Sequence, residues 1–314
     1  LIIILLVVEI IRLSIYLTRK SKLNFNTVWL SDVYNNNIND NVNSKIFIKE
    51  GESPVDLLNK SFEINLIKQT IQDCYPETAF FIGLDGKWNK GKSTTINLVK
   101  KSLKEEKDIV IVDFDPCKYN DDESMLTGFY NAIADKLGIG YSIKYKQALR
   151  ILIDNVSVGL EKKFDFVKAL YEIFSNLDVN KMICDELETS NKRLLIIVDN
   201  LDRADAGIMN FFIRSTYAVT KFKHTIFLLI YDSDLLNAQL SKFYNTRNLF
   251  MNKIINLPIK MAEIDKSRIR KIFNTSLKNL IDKGYINEFS YDLNEKIDFY
   301  EDRKSTRLNS SHDQ

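Results

Sequence analysis

Apolar residues in this chain fall into two patterns, and their alternation predicts the architecture. Short, mostly apolar runs recur at Ala79–Leu84, Ile109–Phe114, Leu194–Val198, Thr225–Ile230 and Ile254–Ile259. Runs of that length without helical spacing read as strands buried on both faces, as in a parallel sheet. Between them, apolar residues return at intervals of three and four. Ile96, Val99 and Leu103 form one such face, and Leu126, Phe129, Ile133 and Leu137, closed by Gly138, form another. Ahead of the first run, Leu57, Leu58, Phe62, Ile64, Leu66, Ile67 and Ile71 predict one or two helices. Residues 141–190 space Ile151, Phe164, Phe166, Val167, Leu170 and Phe174 among charges and read as a helical insert. Residues 265–301 read as the start of a C-terminal helical region. The predicted class is α/β, with five parallel strands, flanking helices and right-handed crossovers.

The two ends depart from this pattern. Residues 1–17, LIIILLVVEIIRLSIYL, are almost wholly apolar, and the chain opens inside the run. Because a spanning helix takes about 20 such residues, residues 1–18 are expected to be a truncated transmembrane helix. A buried core helix and a signal-peptide remnant are the alternatives. Glu9 and Arg12 stand three apart and could pair on one face. Arg19, Lys20 and Lys22 follow directly, which by the positive-inside tendency keeps that flank, and the domain after it, on the cytoplasmic side. Residues 19–48, with VYNNNINDNVNS at their centre, are too poor in apolar residues to fold alone and read as an Asn-rich linker. At the other end, DRKSTRLNSSH from Asp302 to His312 reads as the conceptual translation of a common sequencing adapter. Residues 302–314 are therefore set apart, and the natural chain is taken to run to Glu301.

The phosphate-binding pattern lies just after the first run, in GLDGKWNKGKSTT, Gly83 to Thr95. Gly86, Gly91, Lys92 and Ser93 fit G-x-x-x-x-G-K-[ST], and Gly86, Lys87, Trp88, Asn89, Lys90, Gly91, Lys92, Ser93 and Thr94 are the candidate nucleotide cradle. In such a loop backbone N–H groups wrap phosphate oxygens, the lysine reaches the β/γ-phosphates and the hydroxyl holds Mg²⁺. Strand, loop and helix follow in the order that chemistry needs, and the helix aims its free N–H groups at the anion. The third run ends in Asp199, Asn200, Leu201, Asp202 and Arg203. An acid at that place suits Mg²⁺, a hard cation that takes a carboxylate directly or through water, so Asp199 is the candidate metal ligand, helix N-cap being the other reading. The implied ligands are ATP and Mg²⁺. The sequence resembles the P-loop class in which other strands separate the phosphate-loop strand from the acid-bearing one. That resemblance implies the sheet order 5-1-4-3-2 and places a γ-phosphate sensor at Asp232.

Composition narrows the partners. The chain has 314 residues, of which 45% are hydrophobic and 27% charged, enough for a substantial core. A formal net charge of +2 with no aromatic-interleaved basic stripe gives no reason to expect a nucleic-acid partner. Three cysteines, Cys74, Cys117 and Cys184, stand far apart without C-x-x-C spacing, against a disulfide framework or a zinc site. With His312 set apart, His224 is the one natural histidine, which argues against a histidine-based triad or metal site.

Taken in order, GLDGKWNKGKST, FDPCKY, IIVDNLDR, FLLIYDSDLL and FMNKIINLPI resemble the KAP family of P-loop NTPases over about residues 50–262. The domain so implied is a KAP core over residues 49–264. The family usually shows GPWGSGKS in the loop, an asparagine and a tryptophan in the second motif, and two adjacent acids before L-D-R in the third. Here Lys87 and Asn89 stand in for the loop's proline and glycine, Asp115 and Cys117 for the asparagine and tryptophan, and Asn200 for the second acid. An amide cannot take a proton from water, so hydrolysis is expected to lean on Asp202. Arg203 and Arg247 are candidates for neutralising transition-state charge. The resemblance implies a membrane-anchored ATPase whose turnover times a conformational switch in signalling or antiphage defence, with a protein partner or self-association. A nucleotide-binding scaffold with little turnover and a small-molecule kinase are the rival readings.

Overall fold

The computed structural model describes residues 25–28, 30–37, 45–48, 55–87, 90–161, 178–218, 222–241 and 254–284. They divide between two compact units, one drawn from residues 1–58 and 264–314, the other from residues 59–263.

The larger unit is built on five parallel strands: β3 (Phe80–Asp85), β4 (Ile109–Phe114), β5 (Arg193–Val198), β6 (Thr225–Tyr231) and β7 (Leu257–Lys260). Their order across the sheet is β4-β5-β6-β3-β7. Counted from the phosphate-loop strand and read from the β7 edge, that is 5-1-4-3-2. Every residue of β5 and β6 is buried. The cause is the two-residue period of a strand, which sends successive side chains to opposite faces that are both covered. Leu194, Ile196 and Val198 join one core, with Phe81, Phe114, Phe227 and Leu229. Leu195 and Ile197 join the other, with Ile82, Leu84, Leu228 and Ile230.

Helices α2 (Ser61–Asp73) and α3 (Lys92–Ser102) cover the second face with Ile67, Ile71, Ile96 and Val99. Among the described helices, α4 (Asp122–Leu137), α5 (Ile143–Glu161), α6 (Asp178–Ser190) and α7 (Ala206–Ala218) pack on the first. Asp121 caps α4 by accepting the Ser124 N–H at 2.7 Å, and the helix stops at Gly138 as its spacing predicts. Phe114 lies between Phe129 and Phe212, with ring centroids 5.2 and 5.6 Å away, and Phe81 stacks on Phe227 at 4.7 Å. The stretch expected as an insert contributes Tyr145, Leu149 and Leu152 from α5 and Val179, Ile183 and Leu187 from α6 to this same core. Its described parts are therefore layers of the domain.

At the end of the sheet away from the phosphate loop, Arg193 opens β5. Its Nη1 donates to the carbonyls of Ile71, Gln72 and Cys74, at 2.7, 2.9 and 3.1 Å, where α2 terminates. Its Nε and Nη2 donate to Asp108 Oδ2 at 2.9 and 2.6 Å, and its guanidinium lies 4.0 Å from the centroid of the Tyr75 ring. A cation there satisfies carbonyls that a helix leaves open and complements its negative end.

The smaller unit holds short elements of its own. The linker expected over residues 19–48 holds two strands, β1 (Phe25–Val28) and β2 (Lys45–Ile48), paired in parallel with Phe25 opposite Lys45, and a short helix α1 (Leu30–Tyr34). The asparagines cluster between β1 and β2, so the average composition hid two four-residue stretches of strand-forming residues. The last described helix, α9 (Lys266–Asp282), occupies the start of the expected C-terminal helical region. Asn279 Nδ2 donates to the carbonyls of Val33 and Tyr34 at 2.8 and 3.0 Å, closing the end of α1. Among the described residues no helix is long and apolar enough to cross a membrane. The transmembrane expectation falls on residues 1–18, which lie outside the described residues.

Candidate nucleotide site

A parallel sheet brings the carboxyl ends of its strands to one side, the usual place for a ligand crevice in an open α/β fold. The pairing register sets Phe114 opposite Val198, Val198 opposite Leu229, and Leu229 opposite Gly83. One residue further on, Asp115, Asp199, Ile230 and Leu84 form the next rank. At about 4.8 Å per strand, Asp199 is one spacing from Asp115 and two from the strand that feeds the loop.

The loop leaves β3 at Asp85. The Gly86 N–H donates to the Tyr231 carbonyl at 3.0 Å, and a side chain on Gly86 would come within 3.1 Å of Met261. That close approach leaves no room for a Cβ without displacing Met261. Gly91, the N-cap of α3, has φ 86°, a left-handed conformation that only glycine takes without strain. The turn it makes lets Lys92 fold back so that its ammonium donates to the Gly86 carbonyl. The first backbone bond of the helix runs from Thr95 N–H to Gly91 O at 2.9 Å, so the N–H groups of Lys92, Ser93 and Thr94 open toward the loop. Ser93 is exposed and Thr94 half-buried. Lys90 pairs with Glu263, and Lys87 lies 3.5 Å from Asp234 on the surface. Trp88, Asn89 and Arg247 lie outside the described residues.

Three acids lie just beyond the carboxyl ends of β5 and β6, on the loop's edge of the sheet. Asp199 is half-buried, and its Oδ1 accepts the Asn200 N–H at 2.8 Å. Asp202 is buried, 6% exposed, in the 3-10 turn Leu201–Arg203. Burial pushes its carboxyl above the usual range; Lys92, its own backbone N–H and Arg203 pull it down, and Asp232 adds to the rise. Those couplings put Lys92, Asp202, Arg203 and Asp232 in one electrostatic neighbourhood. Asp232, also 6% exposed, caps helix α8 (Ser233–Leu240), its Oδ1 accepting the N–H groups of Asp234 and Leu235 at 3.1 and 3.4 Å. Asp85 Oδ1 accepts the Ser233 N–H at 2.9 Å and ties the start of α8 to the phosphate-loop strand. Gln239 of α8 donates to the Asp202 carbonyl at 3.1 Å.

The residues present fit a magnesium ion. Among the described residues no group of three or more His, Cys, Asp or Glu side chains could enclose a metal. Mg²⁺ bound with a nucleotide asks for less, since it keeps several waters and takes one or two carboxylates along with the phosphates. The loop hydroxyl of Ser93 and the carboxylate of Asp199 make that kind of donor set.

The sequence profile of the KAP family P-loop domain matches residues 61–309, well over half of the chain. The chain belongs to the KAP family of P-loop NTPases. No curated protein matches this KAP chain. Among solved structures it is similar to Cdc6p from Pyrobaculum aerophilum, at 13% identity and TM-score 0.46, over 77% of this chain and 54% of that one. It is also similar to the Orc1 protein of Aeropyrum pernix in complex with DNA, at 14% identity and TM-score 0.42, over 72% and 50% of the two chains. A third likeness is to the Drosophila ORC bound to DNA, at 14% identity and TM-score 0.40, over 72% and 48%. The KAP chain thus spans about half the length of these chains.

In this KAP domain three side-chain contacts at the crevice escape a reading by motif. Asn200 has φ 57°, a left-handed angle that asparagine tolerates better than most residues, and its Nδ2 donates to Asp115 Oδ2 at 3.2 Å. The other oxygen, Asp115 Oδ1, accepts the Cys117 N–H at 3.1 Å, and Cys117 Sγ donates to the Arg203 carbonyl at 3.6 Å. The second and third sequence motifs are thereby joined side by side. A signal was present: the first four apolar runs each have an acid within two residues of their carboxyl end, Asp85, Asp115, Asp199 and Asp232, and a parallel sheet brings those ends to one edge.

Proposed function

We propose that this KAP domain binds ATP with Mg²⁺ and hydrolyses it, using turnover to time a conformational switch. The observation that carries the reading is the left-handed Gly91, which returns Lys92 to Gly86 while the lysine charge bears on Asp202. A cation so held beside the open N–H groups at the start of α3 suits the β- and γ-phosphates. Ser93 and Asp199 would hold Mg²⁺, which supplies neutralising charge between the phosphates. Asp202 orients or deprotonates the attacking water, Asp232 senses the γ-phosphate, and Arg203 offsets charge that develops in the transition state. The apolar run over residues 1–18 supports a membrane anchor with the NTPase domain on the cytoplasmic side, and the family supports a protein partner, or a second copy, in signalling or antiphage defence.

Binding of a fluorescent ATP analogue to the wild-type chain and to Lys92→Ala tests the site. One charge-assisted hydrogen bond is worth about 1.5–3 kcal/mol, so affinity should fall roughly 10- to 150-fold in the variant. Equal affinity in a folded Lys92→Ala chain refutes the assignment. A scaffold with little turnover is the second reading, favoured by the amide of Asn200 and by the use of Asp232 as a helix cap. Tight Mg-ATP binding without phosphate release would select it.

A further inference from the structure

We propose that Asp115 is the carboxylate that holds the attacking water and takes its proton, with Asn200 as the positioning residue that aims it. The inference rests on the hydrolysis reading above and moves the basic role from Asp202 to a residue on a different strand.

Asp115 directly follows β4 as Asp199 follows β5, and the register, with the Asp199 N–H donating to the Phe114 carbonyl at 3.0 Å, puts the two backbones about one strand spacing apart. Its carboxylate is gripped at both oxygens, Oδ1 by the Cys117 N–H at 3.1 Å and Oδ2 by Asn200 Nδ2 at 3.2 Å. A carboxylate has about four lone-pair sites, so two remain for a water. Asn200 is itself fixed, through its φ of 57° and its N–H bond to Asp199 Oδ1. One residue thus aligns the metal-side carboxylate with its backbone and Asp115 with its side chain.

The other acids at this edge of the sheet are engaged differently. Asp85 Oδ1 holds Ser233, and Asp232 Oδ1 caps α8. Asp202 is 6% exposed and carries the Lys92 charge, whereas Asp115 is half-buried and open to water. Asp115 and Asn200 thus form one acid–amide pair joined across two strand ends by a single hydrogen bond.

In the step so assigned, the water oxygen forms a bond to the γ-phosphorus and one water proton passes to Asp115. The bond from the γ-phosphorus to the bridging oxygen breaks, and its electron pair leaves with ADP. Inorganic phosphate departs, and Asp115 returns its proton to solvent.

The test measures phosphate release and equilibrium affinity for the fluorescent ATP analogue in four chains: wild type, Asp115→Asn, Asn200→Asp and the double exchange. Loss of a general base costs about 10²–10⁴ in rate, so Asp115→Asn should lose at least 100-fold in kcat with Kd within threefold. Asn200→Asp alone sets two carboxylates against each other and should lose both rate and thermal stability. The double exchange should recover kcat to within tenfold of wild type, since it restores one acid and one amide. Should Asp115→Asn fail to fold, Asp115→Glu, which moves the charge by one methylene, should show the same loss of kcat at unchanged Kd. Wild-type turnover in Asp115→Asn, or a double exchange no faster than Asp115→Asn, overturns the proposal alone. A wild-type chain that binds the nucleotide and releases no phosphate overturns the hydrolysis reading and this proposal together.

Discussion

Arg193→Ala should strip stability from the larger unit and leave nucleotide affinity untouched. Arg193 is 5% exposed and makes five side-chain hydrogen bonds, two to Asp108 Oδ2 and three to carbonyls of Ile71, Gln72 and Cys74. Single charged hydrogen bonds contribute about 1.5–3 kcal/mol each, but five on one group are far from additive. The governing cost is that of leaving Asp108 and the end of α2 without their cation, about 3–5 kcal/mol for a buried pair broken from one side. For a unit of this size each kcal/mol shifts Tm by roughly 2–4 °C, so the expected fall is about 6–20 °C. Arg193→Lys keeps the charge but loses the planar fork, and should lie between the two. The assay is urea and thermal unfolding by circular dichroism, paired with nucleotide binding at a temperature where both chains are folded. Arg193 sits at the amino end of β5, whereas the phosphate loop gathers at the carboxyl ends. A loss below 1 kcal/mol, or a Kd that moves with the mutation, would refute the reasoning.

Two further changes probe the charge and the core of the larger unit. Burial and the neighbouring charges of Asp121 and Asp205 raise the Asp122 carboxyl from 3.8 to about 6. The folded state then holds a proton that the unfolded state has lost between about pH 4 and pH 6, so stability falls as pH rises through that window. After discount for partial solvent exposure and for the favourable place of an acid in the first turn of α4, Asp122→Asn should stabilise by about 1 kcal/mol at pH 7.5 and by nothing at pH 4. A flat difference between the two chains across that range in pH-dependent urea melts would refute it. Phe227→Ala removes a fully buried ring stacked on Phe81 and should cost about 3–5 kcal/mol with the unfolding m-value unchanged. A cost below 1 kcal/mol would mean that the core on this face is loosely packed.

Much of the fold was legible because of a physical accident of parallel sheets. Strands covered on both faces lose their polar alternation, so β5 and β6 stand out as apolar runs in the sequence itself. The phosphate loop was legible for a different reason, since its glycines answer a local backbone demand that spacing records. Arg193 was not legible. Its partners lie 85 to 122 positions earlier, and a lone arginine at the edge of an apolar run looks like surface. Lys60 and Glu63 were hidden in the same way. Both are 3% exposed, and together they clamp Ala262, Lys60 donating to its carbonyl and Glu63 accepting its N–H. β1 and β2 were hidden instead by averaging over the asparagines between them.

The crevice shows how far sequence alone could have gone. Asp115 and Asp199 share one rank at their strand ends, with Asp85 one residue and Asp232 two residues further along, and parallel strands bring all four to the same edge of the sheet. Four carboxylates at one edge repel unless donors and cations meet them, which makes their surroundings the informative part. Here Ser233, Cys117 and the first turn of α8 supply backbone N–H groups, Asn200 supplies both its backbone and its side chain, and Lys92 supplies charge to the same neighbourhood through Asp202. Strand order could be inferred from the class that the loop belongs to, and strand order alone makes Asp115 and Asn200 neighbours. What no spacing rule could provide was the left-handed turn at Asn200, which aims the amide across to β4 and so decides which of the aligned acids is held ready for water.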